Sequence, residues 1–93
     1  MIRSFANRDT ELVWQGERSR RLPEDVQRAG LRKLLYLNRA KAILDLREPP
    51  GNRLEQLRGA RAGQWSSRIN DQWRICFRWE KGYAQDVEIV DYH

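Results

Sequence analysis

One cysteine, one histidine and three lysines (Lys33, Lys41 and Lys81) are all that this chain holds of those chemically versatile residues. A lone cysteine, Cys76, excludes an intramolecular disulfide and a cysteine-built zinc cluster. It sits between Arg74 and Arg78 with no histidine near it in sequence, and so reads as an unreactive thiol. The single histidine, His93, is the last residue. No apolar run approaches the ~20 residues that a membrane-spanning helix needs. The opening MIRSFANRD has none of the apolar stretch of a signal peptide. These absences point to a cytoplasmic protein with no membrane attachment, no metal and no cofactor.

What the chain does hold is arginine. Of 18 basic residues three are lysine, which leaves fifteen arginines, and the net charge is +5. Arginine presents a planar fork matched to phosphate, where lysine is only a point charge. That favours a nucleic-acid or acidic-protein partner over none. With 93 residues, 40% of them hydrophobic and 33% charged, the chain predicts one small domain, residues 1–93, with a single core and a heavily charged surface.

The most regular pattern is QWSSRINDQWRICFRW, residues 64–79. Trp73, Ile75, Phe77 and Trp79 alternate with Arg74, Cys76 and Arg78, and Trp65, Ser67 and Ile69 alternate with Ser66, Arg68 and Asn70. A period of two sends one set to each face of a sheet. Asn70-Asp71 suits the turn between the strands. The result is a hairpin with one apolar face, which needs a cover, and one arginine face, which needs an anion.

Ahead of it, Ile2 to Phe5 read as a short strand. Asn7, Asp9 and Thr10 are all competent caps for a short helix ending at Gly16. The loop ERSRR, 17–21, reads as charged and mobile. Pro23 opens the longest helix, with Glu24 and Asp25 complementing its positive end. Val26, Ala29, Gly30, Leu34 and Leu37 form its apolar stripe, widened by Leu31 and Leu35. That helix is expected to reach about Arg39, with another turn or two over Ala42, Ile43 and Leu46, until Pro49-Pro50-Gly51 ends helical structure. A strand is expected over 53–58, and a last strand over 83–90 follows the Lys81-Gly82 turn. The order predicts an α+β fold, an N-terminal strand and two helices packed on one face of a mainly antiparallel sheet.

Two groups could carry chemistry. Asp91-Tyr92-His93 supplies three groups able to hold or move protons, His93 near neutral pH, while Tyr92 could also stack on a base. Arg58, Arg68, Arg74 and Arg78 with Glu55 form the other. Cleaving RNA without a metal needs a base for the 2′-hydroxyl, cations for the phosphate and an acid for the leaving oxygen. Glu55 or His93 could be the base, the arginines the clamps, and His93 or Tyr92 the acid. Ordinary cross-strand Glu–Arg pairing on a solvated face accounts for the same residues.

Residues 54–93 resemble the C-terminal half of HigB-type toxins of bacterial toxin–antitoxin modules, in the RelE/ParE superfamily. The resembling motifs are Leu57-Arg58-Gly59, Gly63-Gln64-Trp65-Ser66, Trp73-Arg74-Ile75 with Phe77, Gly82 and the final Asp91-Tyr92-His93. The opening Met1-Ile2-Arg3-Ser4-Phe5 and the leucine-rich helix are also similar. The resemblance implies a RelE-like fold and a ribosome-dependent mRNA endonuclease that inhibits translation. Its partner would be a HigA-like helix-turn-helix antitoxin, with operator DNA reached only through that antitoxin. Carried over, the active site falls on Arg58, Arg74, Asp91, Tyr92 and His93, with Arg53, Arg68 and Arg78 of the basic face as RNA contacts. Some members place a histidine where this chain has Glu55 and a lysine where it has Arg58, which would leave more of the proton transfer to His93. ParE-type relatives inhibit DNA gyrase without catalysis, and that activity, or plain RNA binding, is the alternative.

Overall fold

The computed structural model describes residues 1–91. Helix α1 (Arg8–Trp14) starts at Asn7, whose side-chain oxygen accepts the Thr10 N–H at 2.9 Å. Of the three competent caps Asn7 takes the role, and Thr10 turns inward instead. It is fully buried, and its hydroxyl accepts the Ile89 N–H at 2.9 Å. Helix α2 (Glu24–Arg39) buries Val26, Gly30, Leu34 and Leu37. Gly30 permits the close approach: a Cβ there would stand 3.1 Å from Ile89 Cδ1 and 3.7 Å from Ile69 Cδ1. Leu35 does not widen the stripe. It is 44% exposed, beside Tyr36 at 47%, because residue 35 projects away from the sheet.

Beyond α2 come two 3₁₀ turns, Ile43–Arg47 and Pro50–Asn52. Asp45 accepts the Lys41 and Ala42 backbone N–H groups, each at 3.0 Å, and these bonds hold its carboxyl below the usual carboxylate range. Four strands follow: β1 (Glu55–Gln56), β2 (Trp65–Arg68), β3 (Trp73–Glu80) and β4 (Tyr83–Asp91), in the spatial order β1-β2-β3-β4, all antiparallel. The strand expected over 53–58 thus shrinks to two residues. Arg53 takes a left-handed backbone (φ 44°) and Gly59 starts a 3₁₀ turn, so both ends leave extended geometry. The N-terminal segment runs parallel to β4, bridging at Ile2–Ala84 and Phe5–Val87, and it covers what would otherwise be an unpaired edge.

The hairpin register places Trp65 opposite Phe77, Ser67 opposite Ile75 and Arg68 opposite Arg74. Ile75 and Phe77 are buried in one apolar cluster with Leu34 and Leu37, while Trp73 and Trp79 are partly buried around it. The helices are the cover for the apolar face, as the alternation predicts. One break in the pattern lies in β4. Ala84, Val87 and Ile89 are all buried, a spacing of three and then two, because a bulge between Cys76 and Arg78 leaves Asp86 with φ 52°.

The loop expected to be mobile is tied down at its middle. Ser19 is buried, and its N–H donates to Gln27 Oε1 at 2.9 Å while its hydroxyl donates to Asp9 at 2.8 Å. Gln27 Nε2 in turn donates to the Ser19 and Leu22 carbonyls, at 2.8 and 2.6 Å. No helix of the described residues is long and apolar enough to cross a membrane.

Candidate active site and basic face

β3 carries Arg74 to the sheet face opposite the helices. The side chain is only 11% exposed, so this part of the arginine face is not open to water. Its guanidinium is held on three sides. Nε donates to Ser66 Oγ at 2.8 Å, Nη2 donates to the Arg53 carbonyl at 2.7 Å, and Nη1 lies 3.8 Å from Glu55 Oε1. Ser66 is fully buried on the neighbouring strand. The left-handed turn at Arg53 is what aims its carbonyl at the guanidinium. A fork fixed this way cannot rotate, and the rotamer entropy that a ligand would otherwise have to freeze is already spent.

Glu55 and Arg68 therefore stand with Arg74, Glu55 by ion pairing and Arg68 as its cross-strand neighbour. Arg68 pairs with the exposed carboxylate of Asp71 in the hairpin turn. Arg53 contributes its backbone to the same group, with its own side chain exposed. Arg58 is exposed at the start of the 3₁₀ turn Gly59–Arg61, and among the described residues no hydrogen bond or ion pair ties it to the others. Asp91 lies opposite Trp73 at the end of β4 and accepts Gln72 Nε2 at 3.0 Å. Tyr92 and His93 lie outside the described residues. Arg78 stands four residues along β3 from Arg74, roughly 13 Å at strand rise, where it pairs with Asp86 at 3.7 Å.

Three residues that the alternation pattern does not single out shape this face. Glu88, opposite Cys76, takes Arg61 at 3.2 Å and places an acid in the middle of the arginines. Ser66 is the second. The register is set by a three-residue turn, Asn70-Asp71-Gln72, in which Asn70 Oδ1 accepts the Gln72 and Trp73 N–H groups, and it puts Ser66 diagonal to Arg74; Asn70-Asp71 alone would have paired Ser67 with Arg74 instead. Asn52 is the third. It is buried, its Nδ2 donates to the Leu46 and Glu48 carbonyls at 3.3 and 3.1 Å, and its Oδ1 accepts the Lys33 ammonium. Burial first, and then the nearby Arg32 and Arg68 charges, hold that ammonium below the ordinary lysine value. Cys76 is fully buried, and burial pushes its thiol up despite the arginines around it, so it is no nucleophile. Among the described residues no three His, Cys, Asp or Glu side chains converge as metal ligands.

A small α+β sheet with a helical cover on one face and a pinned arginine–carboxylate group on the other is the class of structure that these contacts define. The structure aligns over its full length with 98% of one chain of the YoeB-YefM complex from Staphylococcus aureus, with a TM-score of 0.62 and 16% sequence identity, a likeness of fold. The family described as RelE-like toxin of type II toxin-antitoxin system HigB matches residues 3–93. Toxin HigB-1 of Vibrio cholerae is 40% identical over 85 residues, covering 90% of each chain. Endoribonuclease HigB of Proteus vulgaris is 32% identical over 94 residues and covers the whole of both. The chain belongs to the HigB family of RelE-like toxins.

Proposed function

We propose that residues 1–93 form a single toxin domain that cleaves mRNA on the ribosome as a metal-independent endoribonuclease, and that a HigA-like helix-turn-helix antitoxin neutralises it in the cytoplasm. The observation that carries this reading is the pinned Arg74, a buried phosphate-matched fork with a carboxylate beside it. In the reaction the 2′-oxygen of the upstream ribose forms a bond to phosphorus and the bond to the 5′-oxygen breaks. The products are a 2′,3′-cyclic phosphate and a free 5′-hydroxyl. Arg74 and the exposed Arg58 hold the phosphate and stabilise the charge that builds on its oxygens. Glu55 or His93 takes the 2′-hydroxyl proton, His93 or Tyr92 protonates the departing oxygen, and Asp91 orients them. Arg53, Arg68 and Arg78 contact the flanking RNA backbone. Operator DNA is reached only through the antitoxin.

Primer extension on a translated message, with growth of cells expressing each variant without antitoxin, tests this. Arg74→Ala is expected to lower cleavage ~10²-fold or more, the usual cost of one preorganised donor. His93→Gln is expected to cost ~10²–10⁴-fold, as a proton carrier does. Wild-type toxicity with no mRNA cleavage would overturn the nuclease and point to a protein target such as gyrase.

A further inference from the structure

The dipeptide Asn52-Arg53 fixes two cations at once. The Arg53 carbonyl accepts Arg74 Nη2 at 2.7 Å, and the Asn52 side chain accepts the Lys33 ammonium from helix α2. Asn52 is buried with its amide committed to two backbone carbonyls, so its oxygen is held in place for Lys33. Lys33 is half-buried, and among the described residues no carboxylate pairs with it. Its charged neighbours are Arg32 and Arg68, both of its own sign. Gathering like charges on partly desolvated side chains is costly unless an anion joins them. One of the three ammonium hydrogens is used by Asn52, the Tyr36 ring centre stands 6.0 Å from the nitrogen, and no carboxylate among the described residues takes the remaining hydrogens.

We infer that Lys33, held by Asn52 and flanked by Arg68, is a second phosphate seat, gripping the RNA phosphodiester next to the one held by Arg74. Arg68 links the two positions, because it lies directly across the β2–β3 pair from Arg74. The two cations are also tied to consecutive residues, Lys33 to the Asn52 side chain and Arg74 to the Arg53 carbonyl, which keeps the two seats adjacent. The carboxylate now on Arg68 belongs to Asp71, whose side chain is almost wholly exposed and so is readily displaced. This inference rests on the nuclease reading and deepens it: a lysine of helix α2 joins the sheet arginines in holding the message.

The test uses the full chain and a single-stranded 2′-O-methyl RNA, which binds but lacks the attacking hydroxyl. Affinity is measured across a range of KCl concentrations for wild type, Lys33→Gln and Lys33→Arg. Each phosphate contact on single strands contributes about 0.7 to the log–log salt slope, so Lys33→Gln should lower the slope by about that amount. Its deficit should grow ~5-fold for each tenfold drop in salt. Lys33→Arg should restore the slope. An unchanged slope in Lys33→Gln, with cleavage intact in wild type, overturns the second seat alone. A wild-type chain that binds no RNA and cleaves no message overturns this seat together with the nuclease reading. Should Lys33→Gln fail to fold, acetylation of the wild-type lysines decides. RNA should shield Lys33 several-fold more than Lys81, and equal labelling of the two overturns the proposal.

Discussion

A buried residue can be read wrongly when only its strand face is considered, and Cys76 shows why. The alternation puts it on the arginine face, yet it is fully buried, with Arg61, Glu88 and Arg74 as the charges acting on it. Long guanidinium side chains lie flat over small residues and shield them as an apolar cover would. Raised by burial, the thiol keeps its proton in the folded chain at pH values where the unfolded chain loses it. Above its ordinary pKa the unfolded state therefore binds fewer protons, and stability falls with rising pH until the raised folded-state pKa is passed. Two outcomes follow. Iodoacetamide should leave the native protein unmodified at neutral pH and label it stoichiometrically once denatured. The urea midpoint should fall as pH is raised above the ordinary thiol pKa, and Cys76→Ser should flatten part of that decline. Rapid labelling of the native chain at neutral pH would contradict the burial.

Elements were legible in the sequence where a single local rule decides them. The β2–β3 hairpin follows from its alternation and its Asn-Asp turn. Helix α2 follows from Pro23, its acidic first turn and its stripe. Pro49-Pro50-Gly51 ends the α-helical part but not helical structure, since Pro50–Asn52 and Gly59–Arg61 are 3₁₀ turns. What failed depends on contacts far apart in the chain. Nothing local marks Asp86 for a left-handed backbone, which the β3–β4 bulge imposes. The reduction of β1 to two residues reflects the demand on Arg53 to point its carbonyl at Arg74, from 21 residues away in sequence. Likewise the charged loop 17–21 looks mobile until Gln27 is seen to bond it from α2. The candidate site divides the same way. Arg74, Glu55 and Arg68 were visible as charged residues on one face, while Ser66, Asn52 and Lys33 were not, since their roles exist only after the sheet and helices meet. Gln27→Ala tests the loop's anchoring. It leaves the Ser19 N–H without its partner, at a cost of about 1–3 kcal/mol. Proteolysis by trypsin at Arg18, Arg20 and Arg21 should accelerate well before the rest of the chain opens, and an unchanged cleavage rate would mean that Gln27 does not pin the loop.

At the scale of the whole molecule the positive charge is unevenly spent. Near the Arg78 end of the outer sheet face, Arg78 and Arg61 are matched by Asp86 and Glu88. At the Arg74 end, Arg53, Arg68 and Arg74, with Lys33 of α2 tied to them through Asn52, outnumber Glu55, Asp71 and Asp91. Counterion release follows the phosphates that a protein contacts, not its formal charge. The +5 of the chain is thus a poor guide to its salt dependence, and the position of each arginine is a better one. Ribosome binding should weaken steeply with salt, and the Arg74 end of the face should contribute more of the slope than the Arg78 end. Arg68→Ala should lower the log–log slope by ~0.7–0.9, the share of one phosphate. Arg78→Ala should lower it by a smaller amount, because the backbone phosphate that Arg78 contacts must first displace Asp86, which is itself partly shielded from water. Both arginines are on the outer strand face and at least partly exposed, so neither substitution opens the core. Equal losses from the two would mean that RNA runs along the whole face. A slope indifferent to both, with affinity retained at high salt, would mean that contacts other than this sheet hold the ribosome.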